Sequence, residues 1–274
     1  MSKIKLALIQ MRSGIDPERN IDDASAMIRE AAANGAQLVL TPETTNLVQR
    51  DPEALKATLT APSEAPSMVR FADLADALNI DLVIGSLALR GEDGRAVNRQ
   101  VVFGPDGAVK ASYDKIHMFD VSLGAGEVYR ESDQYAPGTE AKLVKAAGAM
   151  LGLTICYDVR FPHLYRRLAQ AGATVITVPS AFTKVTGRSH WEILLRARAI
   201  ETGAFILAPA QGGLHEDGRK TWGRSMVIGP WGEVIAGSHH DEPEILYATI
   251  NPDDALKARE RIPALSGDQA ISGP

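Results

Sequence analysis

The chain has 274 residues, 45% of them hydrophobic and 23% charged, a composition typical of a soluble globular protein long enough to bury a substantial core. Its formal net charge is -5, which gives no general electrostatic reason for binding nucleic acid or an anionic membrane. The length allows one large domain or two small ones.

The number of cysteines and the sequence near residue 1 indicate the cellular compartment in which the protein is expected. Cys156 is the single cysteine, so the chain cannot form an internal disulfide, which favours a reducing environment. The apolar run at 4–9 is too short for a signal peptide, and no stretch reaches the length of a membrane span. We therefore expect a cytoplasmic protein.

Strand and helix patterns alternate through the first third of the chain. Asp16 and Pro17 predict the start of a first helix, and Asn34-Gly35 predicts its end. This β-α-β-α-β alternation predicts a mixed α/β fold with helices covering a sheet. The predicted elements are a strand at 4–9, a helix from residue 17, a strand at 38–40, a helix at 66–78 and a strand at 82–87.

Two Gly-Pro-X-Gly tetrapeptides, at 104–107 and 229–232, predict tight hairpin turns. Each follows a section of strand and helix alternation, so we expect two similar halves within one domain, residues 1–262. We expect the polar tail, residues 263–274, to be loosely held or docked on a partner subunit. The remaining predicted elements are strands at 97–103, 108–113, 151–155, 174–178, 205–208, 226–228, 234–235 and 245–250, and helices at 164–171 and 191–202.

Residues 118–138 show no sustained periodicity and carry glycines, acidic residues and a proline. This stretch is too long for an ordinary connection between two elements. Long loops of compact domains usually form lids or mouths of functional sites. We therefore expect it to border the active site.

Three residues with reactive side chains follow predicted strands. Glu43 follows the strand at 38–40, Lys115 follows the second hairpin strand, and Cys156 follows the apolar run at 151–155. Ligands of open α/β sheets gather at the carboxyl ends of strands, so we expect these three side chains to meet at one site. Each residue alone also fits a structural role: Glu43 as an acid in a loop, Lys115 as an exposed end of a hairpin, and Cys156 as a small hydrophobic residue of the core.

The position of Cys156 favours nucleophilic chemistry. Pro162 is typical of a helix start, so we expect the thiol to lie beside the free backbone N–H groups that begin a helix. A thiol of pKa about 8.5 still needs a base, and Glu43 fits this role if burial raises its pKa toward neutrality. Lys115 and the N–H of Tyr157 are the expected oxyanion donors, and loss of one such donor typically costs roughly 2.7–4 kcal/mol.

Three segments carry a resemblance to a known family: TPE ending at Glu43, YDKIHMFD around Lys115 and GLTICYDVRFP around Cys156. In this chain order they resemble the signature segments of the nitrilase superfamily of carbon–nitrogen hydrolases. The resemblance implies a four-layer α-β-β-α sandwich that commonly dimerises sheet to sheet, a Glu-Lys-Cys triad, and no metal or organic cofactor. It also implies a second buried glutamate that holds Lys115 and helps to position substrate, and Glu131 in YRESDQYAPG matches it better than Glu127.

Segments 179–202 and 208–233 further resemble the Nit-type amidases, and AQGGLHEDG is more similar to the deaminated glutathione amidases than to the omega-amidases. The implied activity is hydrolysis of a small non-peptide amide that bears an α-keto acid, through a thioester on Cys156, with release of an amine or ammonia. Omega-amidase activity on α-ketoglutaramate, other nitrilase-family amidase activities and N-carbamoyl amide hydrolysis stay open. The implied partners are a small-molecule amide and further copies of the chain, as a homodimer or higher homo-oligomer.

An acidic substrate needs cations in an otherwise acidic protein. Arg160, Lys184 and Arg188 lie just beyond predicted strand ends and are candidates for this role. Arg160 is equally suited to pair with Asp158 or with a partner subunit. The candidates for the pocket wall are Phe182, Thr183, Met118 and Phe119.

Rival sites have weaker support. A papain-like site needs a histidine beside the thiol, but His163 is expected on a helix surface and His190 at a helix cap. His117 is expected in a structural hydrogen bond, with contact to substrate as the alternative. A metal site is poorly supported, because the chain has no paired cysteines and His239-His240 lies in a predicted turn.

Two function classes besides hydrolysis stay open. Transfer of the acyl group to an amine would use the same three residues, but such branches usually carry a membrane-spanning portion that this chain lacks. A non-catalytic binding role is the second alternative, and the intact set of Glu43, Lys115 and Cys156 argues against it.

Overall fold

The computed structural model describes residues 3–124 and 127–273. Within these residues the chain forms two six-stranded sheets, two small hairpins and six α-helices. The strands are β1 (Ile4–Gln10), β2 (Leu38–Leu40), β3 (Asp81–Arg90), β4 (Ala96–Phe103), β5 (Val109–Asp114), β6 (Asp120–Ser122), β7 (Val128–Arg130), β8 (Lys142–Ala146), β9 (Ala149–Leu153), β10 (Val175–Thr177), β11 (Phe205–Ala208), β12 (Gly212–Leu214), β13 (Lys220–Trp222), β14 (Met226–Ile228), β15 (Val234–Gly237) and β16 (Glu244–Ile250). The helices are α1 (Pro17–Ala33), α2 (Pro52–Thr58), α3 (Pro66–Leu78), α4 (Pro162–Gln170), α5 (Lys184–Thr202) and α6 (Asp253–Arg261).

The two large sheets repeat one topology, which confirms the prediction of two similar halves. The first sheet has the order β16-β1-β2-β3-β4-β5 and the second has the order β8-β9-β10-β11-β14-β15. In the first sheet β1, β2 and β3 run parallel and their outer neighbours are antiparallel. In the second sheet β9, β10 and β11 are the parallel strands, and the β12–β13 hairpin is inserted before β14.

The sheets pack face to face, with helices outside, in the four-layer α-β-β-α arrangement. Leu6 and Leu8 point from β1 into the core that the two sheets share, and Leu151 of the second sheet lies in the same core. Ala7 and Ile9 point the other way, toward the layer formed by α1 and α3. Because side chains alternate along a strand, a sheet covered on both faces needs apolar residues at successive positions, as β1 has.

Helix starts were partly predictable. The Asp16 side chain accepts a hydrogen bond from the N–H of Glu18 and caps α1, as predicted. The prediction that α5 begins at residue 191 is wrong, because Thr183 caps the helix and α5 starts directly after it. His190 therefore lies inside α5 and does not cap it. Gly187 obscured this start, since it occupies a helical position where a Cβ atom would lie 2.4 Å from Trp222.

Other elements were not predicted. These are the helices α2 and α6 and the strands β8, β12 and β13, and the stretch 118–138 contains the β6–β7 hairpin and a short 3-10 helix, Glu131–Asp133. The strands of this hairpin have three residues each, too few to produce a visible period. Residues 125 and 126 of the stretch lie outside the described residues.

The start of the predicted tail is held by its own chain. A 3-10 helix, Ala264–Ser266, lies against α4. Arg166 donates a hydrogen bond to the carbonyl of Ala264 and forms an ion pair with Asp268. None of the helices in the described ranges combines the length and the apolar character needed to cross a bilayer.

Candidate active site

Glu43, Lys115 and Cys156 meet at one end of the shared core. They follow β2, β5 and β9, and each is at most 7% exposed. Lys115 Nζ lies 2.9 Å from Glu43 Oε1. The Cys156 thiol is within hydrogen-bonding reach of the Glu43 carboxylate, and all three side chains line the same cavity. Residues distant in the sequence therefore form one cluster, as predicted.

A second glutamate completes the surroundings of the lysine. Both carboxylate oxygens of Glu131 lie 2.8 Å from Lys115 Nζ. The backbone N–H of Phe119 donates to Glu131 Oε2 at 2.6 Å, which fixes this carboxylate. Glu127 is exposed and is not among the residues that line the cavity. The structure thus brings Glu131, and not Glu127, to the lysine.

Two further donors orient the Glu43 carboxylate. Asn98 Nδ2, from β4, donates to Oε1 at 2.9 Å, and the backbone N–H of Ala181 donates to Oε2 at 2.8 Å. The hydroxyl of Ser86 hydrogen-bonds to the Asn98 side-chain oxygen, which directs the amide NH₂ group toward Glu43. Neither Asn98 nor Ala181 was predicted from the sequence.

The backbone holds Cys156 in an uncommon conformation. Its φ is +47°, in the left-handed region that non-glycine residues seldom occupy. Its N–H donates to the carbonyl of Pro179 at 2.9 Å. Cys156 begins a 3-10 helix that ends at Arg160, and α4 starts only at Pro162. The predicted helix start at Pro162 is confirmed, but a 3-10 turn separates it from the thiol, and this turn also leaves its first N–H groups without intrahelical partners.

Burial and charge set the protonation of the site. Burial raises the pKa of the Cys156 thiol well above its ordinary value, and the charge of Glu43 raises it further, while Lys115 opposes this in part. Burial alone would raise the pKa of Glu43, but the charge of the Lys115 ammonium and hydrogen bonds from the side chains of Lys115, Cys156 and Asn98 hold it below its usual range. The expectation that burial brings the Glu43 pKa toward neutrality is wrong, because the adjacent ammonium and these hydrogen bonds together outweigh desolvation.

The resting site therefore holds a neutral thiol beside an ionised carboxylate. The pKa of Lys115 is also shifted: burial would lower it, but the carboxylates of Glu131 and Glu43 raise it well above its ordinary value. Transfer of the thiol proton to Glu43 leaves the net charge of this buried cluster unchanged. Loss of the proton to solvent would add a second uncompensated negative charge, which a buried site disfavours.

The cavity beside these residues has a volume of ≈ 210 Å³. Of the residues expected at its wall, Phe119, Phe182 and Thr183 line it and Met118 does not, and Tyr157, the expected oxyanion donor, lines it too. Thr183 also caps α5, as described above.

The predicted cations lie elsewhere. Arg160, Lys184 and Arg188 are not among the residues that line the cavity. The guanidinium of Arg160 lies 3.1 Å from His190 Nδ1 and over the rings of Tyr157 and Phe182, and it forms no ion pair with Asp158. Lys184 lies 3.4 Å from Asp241. Besides Lys115, the cations that line the cavity are Arg50, Arg130 and Arg219, and none of these three was predicted.

The histidines do not approach the thiol as a papain-like site requires. His163 is exposed and His190 contacts Arg160, and neither lines the cavity. His117 makes a 2.6 Å hydrogen bond to Asp158 and stacks on Phe161, which agrees with a structural role. In the part of the chain that the structure describes, no group of three or more His, Cys, Asp or Glu residues is placed to hold a metal ion.

Comparison with known proteins adds independent information. A deaminated glutathione amidase of Synechocystis sp. is 38% identical over 264 residues, which cover 94% of this chain and 96% of the relative. The C. elegans NitFhit protein has the same fold, with a TM-score of 0.90 and 34% identity over 98% of this chain, which spans 66% of that longer chain.

A solved amidase structure bears on the chemistry. A glutamate-to-glutamine mutant of the amidase from Nesterenkonia sp. AN1 matches with a TM-score of 0.79 and 28% identity, over 94% of this chain and 98% of that one. Its structure shows the result of Michael addition of acrylamide at the active-site cysteine. The family model described as carbon-nitrogen hydrolase matches residues 5–260. This chain therefore belongs to the carbon–nitrogen hydrolase family of the nitrilase superfamily.

Proposed function

We propose that this protein hydrolyses a small non-peptide amide through a thioester on Cys156. One observation supports this most directly: a buried thiol, a buried carboxylate and a buried ammonium line one cavity, with Lys115 Nζ 2.9 Å from Glu43 Oε1. These groups provide a nucleophile, a base and an oxyanion donor. No cofactor has a part in this reaction.

The acylation step uses the charge arrangement of the resting site. Glu43 takes the thiol proton as Cys156 attacks the amide carbonyl, so no isolated thiolate forms in the buried site. The oxygen of the tetrahedral intermediate accepts hydrogen bonds from Lys115 and from the backbone N–H of Tyr157. Glu43 then gives its proton to the leaving amine, and the C–N bond breaks.

The deacylation step reuses the same base. A water molecule enters where the amine left, and Glu43 takes a proton from it as it attacks the thioester carbonyl. The C–S bond breaks, and the proton returns to the sulfur of Cys156. Glu131 keeps Lys115 charged and in place throughout, because both of its oxygens contact the ammonium.

Deaminated glutathione is the substrate that we propose. The support is the Synechocystis relative of that name, together with the segment 210–218, which matches the deaminated glutathione amidases. In this compound an α-keto acid is joined by an amide to cysteinylglycine, so hydrolysis releases an α-keto dicarboxylate and a dipeptide. Hydrolysis of α-ketoglutaramate or of an N-carbamoyl amine is the alternative, and each of these releases ammonia.

A substrate panel tests this proposal. The purified protein is incubated with deaminated glutathione, α-ketoglutaramate and an N-carbamoyl amine, and release of dipeptide or ammonia is measured. We expect the highest kcat/KM for deaminated glutathione, and no turnover by C156A at unchanged circular dichroism. Amide hydrolysis by C156A, or a higher kcat/KM for either other substrate, would contradict the proposal.

We further propose a cytoplasmic homodimer whose hydrolase domain is residues 1–262. The lone buried cysteine supports a reducing compartment. Two isoleucines on one side of α5, Ile193 and Ile200, are more than half exposed, and Trp231 and Ile262 lie near Ile200. An apolar surface of this kind favours self-association. Light scattering coupled to gel filtration tests it, and a monomeric mass would contradict the proposed dimer.

A further inference from the structure

Three arginines line the cavity that contains the reactive residues. They come from three separate segments: Arg50 lies just before α2, Arg130 ends β7, and Arg219 lies in the turn between β12 and β13. The charges that act most strongly on Cys156 are those of Glu43 and Lys115. The arginines thus add positive charge to the cavity beyond that of Lys115.

The Arg219 guanidinium has fewer close partners than that of another arginine of similar exposure. Its side chain is 25% exposed, and its ion-pair partner is Asp217, whose Oδ2 lies 3.5 Å from Arg219 Nη2. Within the described residues its Nε is buried and has no hydrogen-bond partner. Arg99 offers a comparison at 27% exposure, because it makes two bonds of 2.6 and 2.7 Å to Asp114. Arg219 therefore keeps donor capacity that its own chain does not use.

Two of these arginines, Arg50 and Arg219, act on the same wall of the cavity. Arg50 and Arg219 both exert a positive potential on the ring hydroxyl of Tyr129, and Arg219 also acts on Tyr135. Both tyrosines line the cavity. The acids that face this region are Asp217 and Glu127 at Tyr129, and Glu131 and Glu43 at Tyr135.

This inference rests on the proposed amide hydrolysis. We propose that Arg219, assisted by Arg50 and Arg130, binds a carboxylate carried by the leaving amine of the substrate. The planar guanidinium suits a carboxylate, to which it can donate two parallel hydrogen bonds. In deaminated glutathione this group is the terminal carboxylate of the dipeptide. The subsite therefore selects amides whose amine part is a peptide with a free C-terminus, over amides that release ammonia.

Substrate pairs test the subsite through KM. R219Q is compared with the wild type on deaminated glutathione, on its C-terminal carboxamide and on α-ketoglutaramate, which has no carboxylate in its leaving group. Hydrogen bonds to a charged group are worth about 1.5–3 kcal/mol, so KM for deaminated glutathione should rise roughly 10- to 150-fold in R219Q. KM for the other two substrates should not change, and neither should kcat.

R188Q is the matched control, because Arg188 is an exposed arginine of α5 that does not line the cavity. It should behave as the wild type does on all three substrates. If R219Q raised KM equally for deaminated glutathione and for its carboxamide, or raised it for neither, the proposed subsite would be wrong.

A binding measurement separates the subsite from the reaction. Calorimetry compares C156A with C156A/R219Q for binding of deaminated glutathione, which neither variant should hydrolyse. We expect weaker binding to the double variant by the same factor as the KM change. If the wild type hydrolyses none of the amides but this difference is present, the proposed reaction is wrong and the subsite stands. Equal binding to both variants, or no binding to C156A, overturns the subsite.

Discussion

Asp158 Oδ1 lies 2.6 Å from His117 Nδ1, and the Asp158 side chain is fully buried. The same carboxylate accepts hydrogen bonds from the hydroxyl of Tyr113 at 2.6 Å and from the N–H of Ile155 at 2.9 Å. It also accepts one from the backbone N–H of His117 at 3.1 Å. Asp158 therefore joins the segment that carries the reactive lysine to the segment that carries the reactive cysteine.

Replacement of Asp158 by Asn should destabilise the protein strongly. The variant keeps the shape of the side chain but replaces one carboxylate oxygen with an NH₂ group that faces hydrogen-bond donors, and each buried donor left without an acceptor costs about 1–3 kcal/mol. Urea denaturation should show a lower midpoint with an unchanged slope. D22N is the control, since Asp22 pairs with Arg70 at a side-chain exposure of 67%, and it should lose less than about 1 kcal/mol. Equal losses in the two variants would show that the buried cluster contributes no more than a surface pair.

Replacement of Glu43 by Gln should separate turnover from thiol reactivity. Loss of the base should lower kcat by about 10²–10⁴. The negative charge of Glu43 also raises the pKa of Cys156, so the pKa of the thiol should fall in E43Q. Alkylation of Cys156 by iodoacetamide, followed by mass spectrometry against pH, should therefore reach half its maximal rate at a lower pH than in the wild type. A shift to higher pH would contradict the electrostatic role of Glu43.

The rate and the stability should both have broad pH plateaus. The pKa of Glu43 is lowered, so its contribution to stability is complete above the pKa of an unfolded glutamate, about 4.3, and is lost as the pH falls through the lower folded pKa. The pKa of Lys115 is raised, so its contribution is complete below about 10.4 and is lost as the pH rises through the folded pKa. We expect kcat/KM to be flat between about pH 5 and 8, where Glu43 is ionised and Cys156 is protonated. A tenfold rise per pH unit in that window would show instead that a free thiolate reacts.

The effects of two substitutions, at Lys115 and at Glu131, on the free energy of unfolding should not be additive. K115M leaves the carboxylates of Glu43 and Glu131 facing each other without their cation, and loss of one partner of a buried pair costs about 3–5 kcal/mol. Adding E131Q removes one of the two like charges, so the double variant should be more stable than K115M alone. Chemical denaturation of the four proteins gives the coupling free energy. Additive losses would mean that the two carboxylates do not repel each other in K115M.

The three reactive residues were predictable because each leaves a signal in the chain. Glu43 and Cys156 follow apolar strands, Lys115 follows the second strand of a predicted hairpin, and the short segments around all three are distinctive. Their meeting point also follows from topology, because β2 and β9 lie among the parallel strands of their sheets. The fold class and the two similar halves were predictable for the same reason.

The supporting contacts were not predictable, for three different reasons. Asn98 lies within β4, and only the pairing of β4 with β3 places its amide beside Glu43. Ala181 contributes a backbone N–H, which its side chain does not signal. Arg219 lies in a charged hairpin turn, where a solvent-facing role is the ordinary expectation. The direction of the Glu43 pKa shift also depends on a distance that the sequence does not contain.

The hydrogen bond from Ala181 to Glu43 crosses between the two halves of the molecule. Glu43 follows β2 of the first sheet, and Ala181 follows β10, its counterpart in the second sheet. Neither half contains all the groups of the site. A fragment with only the first sheet would contain Glu43 but would lack the N–H of Ala181 that hydrogen-bonds to it. On heating, the rate of turnover should therefore fall in parallel with the separation of the two sheets. Enzymatic activity then reports directly whether the two halves are still packed together.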